Sequence, residues 1–194
     1  MMVDIEKVKE NLKGRLTEKR YNHSLGAMKS AKELAKIYGE NERQAEFAGL
    51  IHDIAKEMPK EEIEKYIKDH DIQIDEIEKR QMGLLHAKLG ASIAKEEFGA
   101  NEKTQNAIKY HTTGNIHMDT FAKIIYLADK IEENRTYEEV EDLRELAKKD
   151  LDKAMLFVLD FTTTKSIKNK KLIHPDSINL RNYLLTLDNR WKLY

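Results

Sequence analysis

Residues 50–56 read LIHDIAK, a histidine and an aspartate side by side in an apolar helical run. Ile51 and Ile54 flank the pair, and Ala48, Gly49 and Ala55 keep its surroundings small. An ionised carboxylate in such a setting loses hydration and needs compensation. Either the helix turns both groups to water, or partners hold them inside. The rest of the chain decides between the two.

Two prolines and eight glycines in 194 residues leave few helix breakers. Tyr21, Leu25, Met28, Leu34 and Tyr38 recur at helical spacing and predict a helix over 21–38, stopped by Gly39. Asn41 opens a second over 42–56, with Ala45, Ala48, Ile51 and Ala55 on one face. Pro59 marks the loop after it, and 60–69 is a short polar helix. Helices are also expected over 84–98, closed by Gly99, and over 101–111, opened by Asn101 and closed by the turn Thr112-Thr113-Gly114. Residues 119–133 form a strongly apolar helix capped by Asp119, and 138–168 hold two helices that break near 149–152. A last helix is expected from Pro175 to Trp191. The nearest approach to period-two alternation, IQID at 72–75, is too short for a strand. The expected fold is all-α, one helical-bundle domain over 1–194 with about eight to ten helices.

Composition narrows the function classes. Apolar residues are 40% and charged residues 36% of the chain, ample for a core beneath a charged surface. A net charge of -1 gives no general attraction to nucleic acid, and the one basic cluster, KSIKNKK at 165–171, reads as a solvated turn. There is no cysteine, so any metal must be held by nitrogen and oxygen. The N-terminal MMVDIEKVKENLKGRL is amphipathic and charged, unlike a signal peptide. No run approaches the roughly 18 apolar residues of a membrane span. A cytoplasmic protein with no membrane partner is expected.

The histidines are placed unevenly. His23, His52, His86 and His111 fall at element ends or on apolar faces, as do Asp53 and Asp129, whereas most other carboxylates fall on polar faces. His70 sits in the charged KDHD, His117 in a loop, and His174 before Pro175, and none of these three joins the pattern. Phe121 and Tyr126 read as core.

The order H…HD…H…H…D, carried by His23, His52–Asp53, His86, His111 and Asp129, resembles the HD superfamily of metal-dependent phosphohydrolases. The segments RYNHSLGAMKSAKELAKIYG, AGLIHDIAKEMP, LLHAKLGA, IKYHTTG and FAKIIYLADKIEENR are similar to its YqeK-type hydrolases, over about residues 15–140. Residues 150–194 carry no motif and are expected to pack on that core as helices. The resemblance implies a helical domain holding two metal ions, often iron. It also implies cleavage of symmetrical dinucleoside tetraphosphates, such as diadenosine tetraphosphate, into two nucleoside diphosphates.

The residue types fit that chemistry. Imidazole and carboxylate without thiolate suit iron or manganese, with zinc also accepted. Asp53 is placed to bridge, with His23, His52 and Asp129 around one ion and His86 and His111 around the other. A hydroxide held between the ions would then attack phosphorus, with no serine or cysteine nucleophile. Asp53 and Lys56 are the expected catalytic residues. Lys56, taken to lie on the same helix as Asp53, and Arg20, Thr112, Thr113, Gly114 and Arg135 are the expected substrate contacts, the arginines through their planar forks. An HD-type 5′-nucleotidase or other nucleotide phosphohydrolase is the alternative within enzymes. A non-catalytic nucleotide-binding module is the alternative outside them, disfavoured by the complete ligand set. An apolar stripe on the first or last helix would allow a homodimer.

Overall fold

Helix after helix begins on a short polar side chain that accepts hydrogen bonds from its own first-turn amides, which satisfies groups the helix cannot. A computed structural model describes residues 4–187. Asp4 caps α1 (Ile5–Lys13), Thr17 caps α2 (Glu18–Ile37) and Asn41 caps α3 (Glu42–Ile51). After α4 (Lys60–Asp69) comes the one-turn α5 (Glu76–Arg80), opened by a capping box between Asp75 and Glu78. A 3-10 turn at Met82–Leu84 leads into α6 (Leu85–Phe98), which Gly99 ends in the left-handed conformation. Asn101 caps α7 (Glu102–Tyr110) and Asp119 caps α8 (Thr120–Ile131). Asp150 ends α9 (Val140–Lys149) and caps α10 (Leu151–Lys168) in one residue, the break expected near 149–152. The last helix, α11, is Pro175–Leu187, and its expected end at Trp191 lies outside the described residues. Among the described residues there is no strand, as expected.

Helix α8 is the hub. Phe121, Ala122, Ile124 to Asp129 and Ile131 are all buried, and the helix meets α2, α3, α7, α9 and α10. An apolar core gathers around α8, α10 and α11, and another around α1, α3 and α6. The ends of α3 and α7 and the start of α6 come together beside α2 and α8, and this junction holds the candidate site. No helix of the described residues is long and apolar enough to cross a membrane.

The close pairing of α2 and α3 needs small residues. A Cβ added at Gly49 would stand 2.7 Å from the Ala27 carbonyl oxygen and 2.9 Å from Ala31 Cβ. Since backbone cannot rotate aside, Gly49→Ala should push α3 off α2 and carry His52 and Asp53 with it. The expected loss is about 1–3 kcal/mol, within the range for overpacked cores, and a thermal melt reads it as a fall of several degrees.

Candidate metal centre

All six expected ligands meet in one buried cluster. His23 comes from within α2, Asp129 from the last turns of α8 and His86 from the first turn of α6. His52 and Asp53 follow α3, and His111 follows α7. His23, His52 and Asp129 form one group of donors with metal-binding spacing, and His52, Asp53 and His111 form another.

Hydrogen bonds fix the tautomers. The Nδ1 of His52 donates to Gly49 O at 2.7 Å, that of His86 to Gly83 O at 2.6 Å and that of His111 to Ile108 O at 2.7 Å. His23 Nδ1 donates to the Glu132 carboxylate at 3.0 Å. Carbonyls and carboxylates only accept, so each Nδ1 carries the proton and each Nε2 of a neutral ring keeps its lone pair.

Those lone pairs face one another. His23 Nε2 and His52 Nε2 are 3.2 Å apart, and His86 Nε2 and His111 Nε2 are 3.0 Å apart. Asp129 Oδ1 lies 3.1 Å from His23 Nε2 and 3.7 Å from His52 Nε2. Asp53 divides its oxygens. Oδ1 is 3.0 Å from His86 Nε2 and 3.4 Å from His111 Nε2, while Oδ2 is 3.7 Å from His23 Nε2 and 3.8 Å from His52 Nε2. Acceptors converging on acceptors repel unless a positive charge lies among them. Donors bound at about 2.1 Å to one ion, at right angles to each other, stand about 3 Å apart, so the spacing fits metal ligation.

The electrostatics favour charged carboxylates and a neutral His111, while Asp53 and Asp129 raise His52 against its burial. Burial resists charge on Asp53, but the imidazoles of His52, His111 and His86 around it hold its carboxyl well below the usual range. Burial likewise resists charge on Asp129, and Lys130, His23 and His52 override it in the same direction. Burial pushes His111 down to about 4, so this ring stays unprotonated and ready to ligate. The cluster thus keeps its carboxylates charged and His111 neutral, the states that metal binding needs.

The helix expected over 42–56 ends at Ile51 instead. There the His52 ring donates to the Gly49 carbonyl, the acceptor a continued helix would offer to the residue-53 amide. The next amides bond three residues back, Ile54 to Ile51 at 3.0 Å and Lys56 to Asp53 at 2.9 Å. Lys56 therefore sits on a tight turn and not on the helix face expected for it. The turn still brings its Nζ within 3.2 Å of His86 Nε2.

Arg20 NH1 donates to Asp53 Oδ2 at 3.1 Å, and Arg135 NH2 donates to Asp129 Oδ1 at 2.6 Å. Both expected arginines thus reach the cluster. So does Lys130, which pairs with Asp129 Oδ2 and which the sequence reading passed over. Thr112 lines a cleft of about 560 Å³ with Gly83, Leu84, Tyr126, Lys130, Thr162, Ser166, Lys171 and Leu172 among its walls. The buried Thr113 lines it too, but its hydroxyl donates to the Gly114 carbonyl. Gly114, at φ +69°, packs against α11, where a Cβ would run into Leu180 Cδ2. The cluster does not include His117, His70 or His174; His174 pairs with Asp75 at 2.8 Å.

Glu132 is the clearest residue the sequence reading missed. It is buried beside His23, yet in the run KIEEN it looks like any polar helix end. The α10 and α11 region supplies Thr162, Ser166 and Lys171 to the cleft, again without a motif.

The HD domain profile matches residues 20–134. The chain is 41% identical to a protein of Halalkalibacterium halodurans described as a symmetrical bis(5′-nucleosyl)-tetraphosphatase, over 90% of this chain and 93% of that one. It is 36% identical to a Bacillus subtilis protein of the same description, over 90% and 94%. A crystal structure from Clostridium acetobutylicum, described as a predicted HD superfamily hydrolase involved in NAD metabolism, superposes with a TM-score of 0.92 at 39% identity. That match covers 97% of this chain and 100% of the other.

Proposed function

The chain belongs to the HD domain family, and from that premise we propose that it hydrolyses symmetrical dinucleoside tetraphosphates, such as diadenosine tetraphosphate, to two nucleoside diphosphates. The observation that carries the reading is the division of Asp53, one oxygen toward His86 and His111 and the other toward His23 and His52. A carboxylate so placed suits two ions, with iron or manganese favoured and zinc accepted by the nitrogen and oxygen donors. When bound, such ions acidify a water and draw charge from phosphate oxygens.

The chain's own residues do the rest. Water adds across the central P–O–P link. Its oxygen bonds to one inner phosphorus, the bridging oxygen leaves with the other, and a proton is released. Lys56, Arg20, Lys130 and Arg135 form a cationic rim that holds the four phosphates. The neighbouring cleft, with Leu84 and Leu172 as apolar walls and the hydroxyls of Thr112, Thr162 and Ser166, suits a nucleoside. A cytoplasmic location belongs to the same reading.

Product analysis tests it. Protein purified without oxygen and offered diadenosine tetraphosphate should give ADP alone. ATP plus AMP would overturn symmetrical cleavage. Inactivity on this substrate, with nucleoside and phosphate released from a mononucleotide, would make the chain a 5′-nucleotidase.

A further inference from the structure

Three of the four clustered histidines donate Nδ1 to a backbone carbonyl, at Gly49, Gly83 and Ile108. His23 alone of the four donates to a carboxylate, Glu132 Oε1 at 3.0 Å. That carboxylate is built in. Its Oε2 accepts from the Asn134 amide at 2.7 Å and from Asn134 Nδ2 at 2.9 Å. Its backbone carbonyl accepts from Arg144 NH2 at 2.8 Å. Gly26 leaves the space, since a Cβ there would collide with Glu132 Oε2. Glu132 is buried, and a carboxylate withdrawn from water needs a reason to be there.

We infer that Glu132 is a positioning residue that makes the two ends of the centre unequal, so that the His23, His52 and Asp129 end keeps its ion and the His86 and His111 end exchanges. A carboxylate draws the Nδ1 proton toward itself and leaves Nε2 more electron-rich than a carbonyl does, which strengthens its bond to a metal. Asp129 Oδ1 adds direct charge at the same end, 3.1 Å from His23 Nε2. Among the described residues, Asp53 is the one carboxylate at the other end, and the first end shares it. Side-chain cations are more numerous at the first end, where Lys130 and Arg135 meet Asp129, Arg20 meets Asp53 Oδ2 and Arg135 Nε stands 3.7 Å from Glu132 Oε1, against Lys56 beside His86; the order is therefore set by the anionic groups that bind or back the ion's own donors. The exchangeable end, next to Lys56, is then where substrate oxygens and metal enter together. This inference rests on the proposal of two ions.

The test is metal release from the loaded protein into excess chelator, followed with a metal-sensitive dye. The wild type should release two ions in two phases of equal size. Glu132→Gln, close in shape but uncharged, should speed the slow phase about 10- to 100-fold and leave the fast phase alone, the usual scale for such outer partners. Asn134→Ala, on an exposed residue, keeps the carboxylate but loosens it, and should speed the slow phase by less. It decides the matter if the glutamine variant does not fold. An unchanged slow phase, or both phases accelerating alike, overturns the inference, the latter as general loosening. Two ions leaving the wild type in a single phase overturn the inequality itself. One ion per chain in the wild type overturns the two-ion proposal instead, and the variant's effect on that ion still decides the role of Glu132.

Discussion

Asp53→Ala should lose bound metal and at least about a thousandfold in kcat/KM, equivalent to about 4 kcal/mol of transition-state stabilisation. Asp53 is the carboxylate that turns one oxygen to each end. Asp53 Oδ1 serves His86 and His111, and Oδ2 faces His23 and His52. Removing it takes charge from two sites at once and leaves Arg20 NH1 without its 3.1 Å partner. It also leaves Nε2 lone pairs 3.0 and 3.2 Å apart with less negative charge to attract a cation between them. Asp129→Ala provides the contrast, since of the four histidines Asp129 Oδ1 approaches only His23 and His52, and its loss should empty one end. Metal counting on both variants, beside turnover of diadenosine tetraphosphate, reads the difference. Full metal content in Asp53→Ala would sink the shared-carboxylate assignment, whatever the activity.

The ligand positions were legible because each falls at an element end or on an apolar face, as in LIHDIAK, where an ionisable group among apolar ones is costly unless something compensates it. The helices were legible from their caps, as at Asn41, Asn101 and Asp119, and from the stops at Gly39 and Gly99. The end of α3 was not. The apolar spacing runs on through Ile54 and Ala55, while the backbone passes into tight turns with the His52 ring on the Gly49 carbonyl, local hydrogen bonds that periodicity does not register. Glu132 and Lys130 were hidden for another reason. Both sit near the end of α8, where acidic and basic residues are common on exposed faces. The packing of α2 against α8 sets Glu132 on His23, and Lys130 folds back onto Asp129. The cleft walls on α10 and the segment after it are ordinary threonine, serine and lysine, whose role comes from what lies opposite them.

Lys56→Met should lower kcat about a hundred- to a thousandfold while the protein keeps its metal. That is the scale for deleting one preorganised charge-stabilising donor. Lys56 Nζ lies 3.2 Å from His86 Nε2, at the end where Asp53 Oδ1, His86 and His111 converge, yet no carboxylate accepts a hydrogen bond from it among the described residues. Burial lowers its pKa, the charge of Asp53 opposes that, and Arg20 adds to it. An ammonium held in such a place is poorly satisfied until an anion arrives, and the anion it suits is a phosphate oxygen gaining charge as the P–O bond breaks. The interaction should therefore appear in kcat more than in KM, the pattern of a contact strengthened in the transition state. The sign of the pH effect follows. The protonated amine is the working form and its pKa is depressed, so activity should fall on the alkaline side at a lower pH than an ordinary lysine would give. That limb should disappear in Lys56→Met. Lys56→Arg keeps the charge but replaces a compact ammonium with a planar fork, so it should recover only part of the rate. A Lys56→Met enzyme with normal kcat and raised KM would reduce Lys56 to a binding contact. One that loses its metal would show that the lysine holds the turn at residues 52–56 in shape and takes no part in the chemistry.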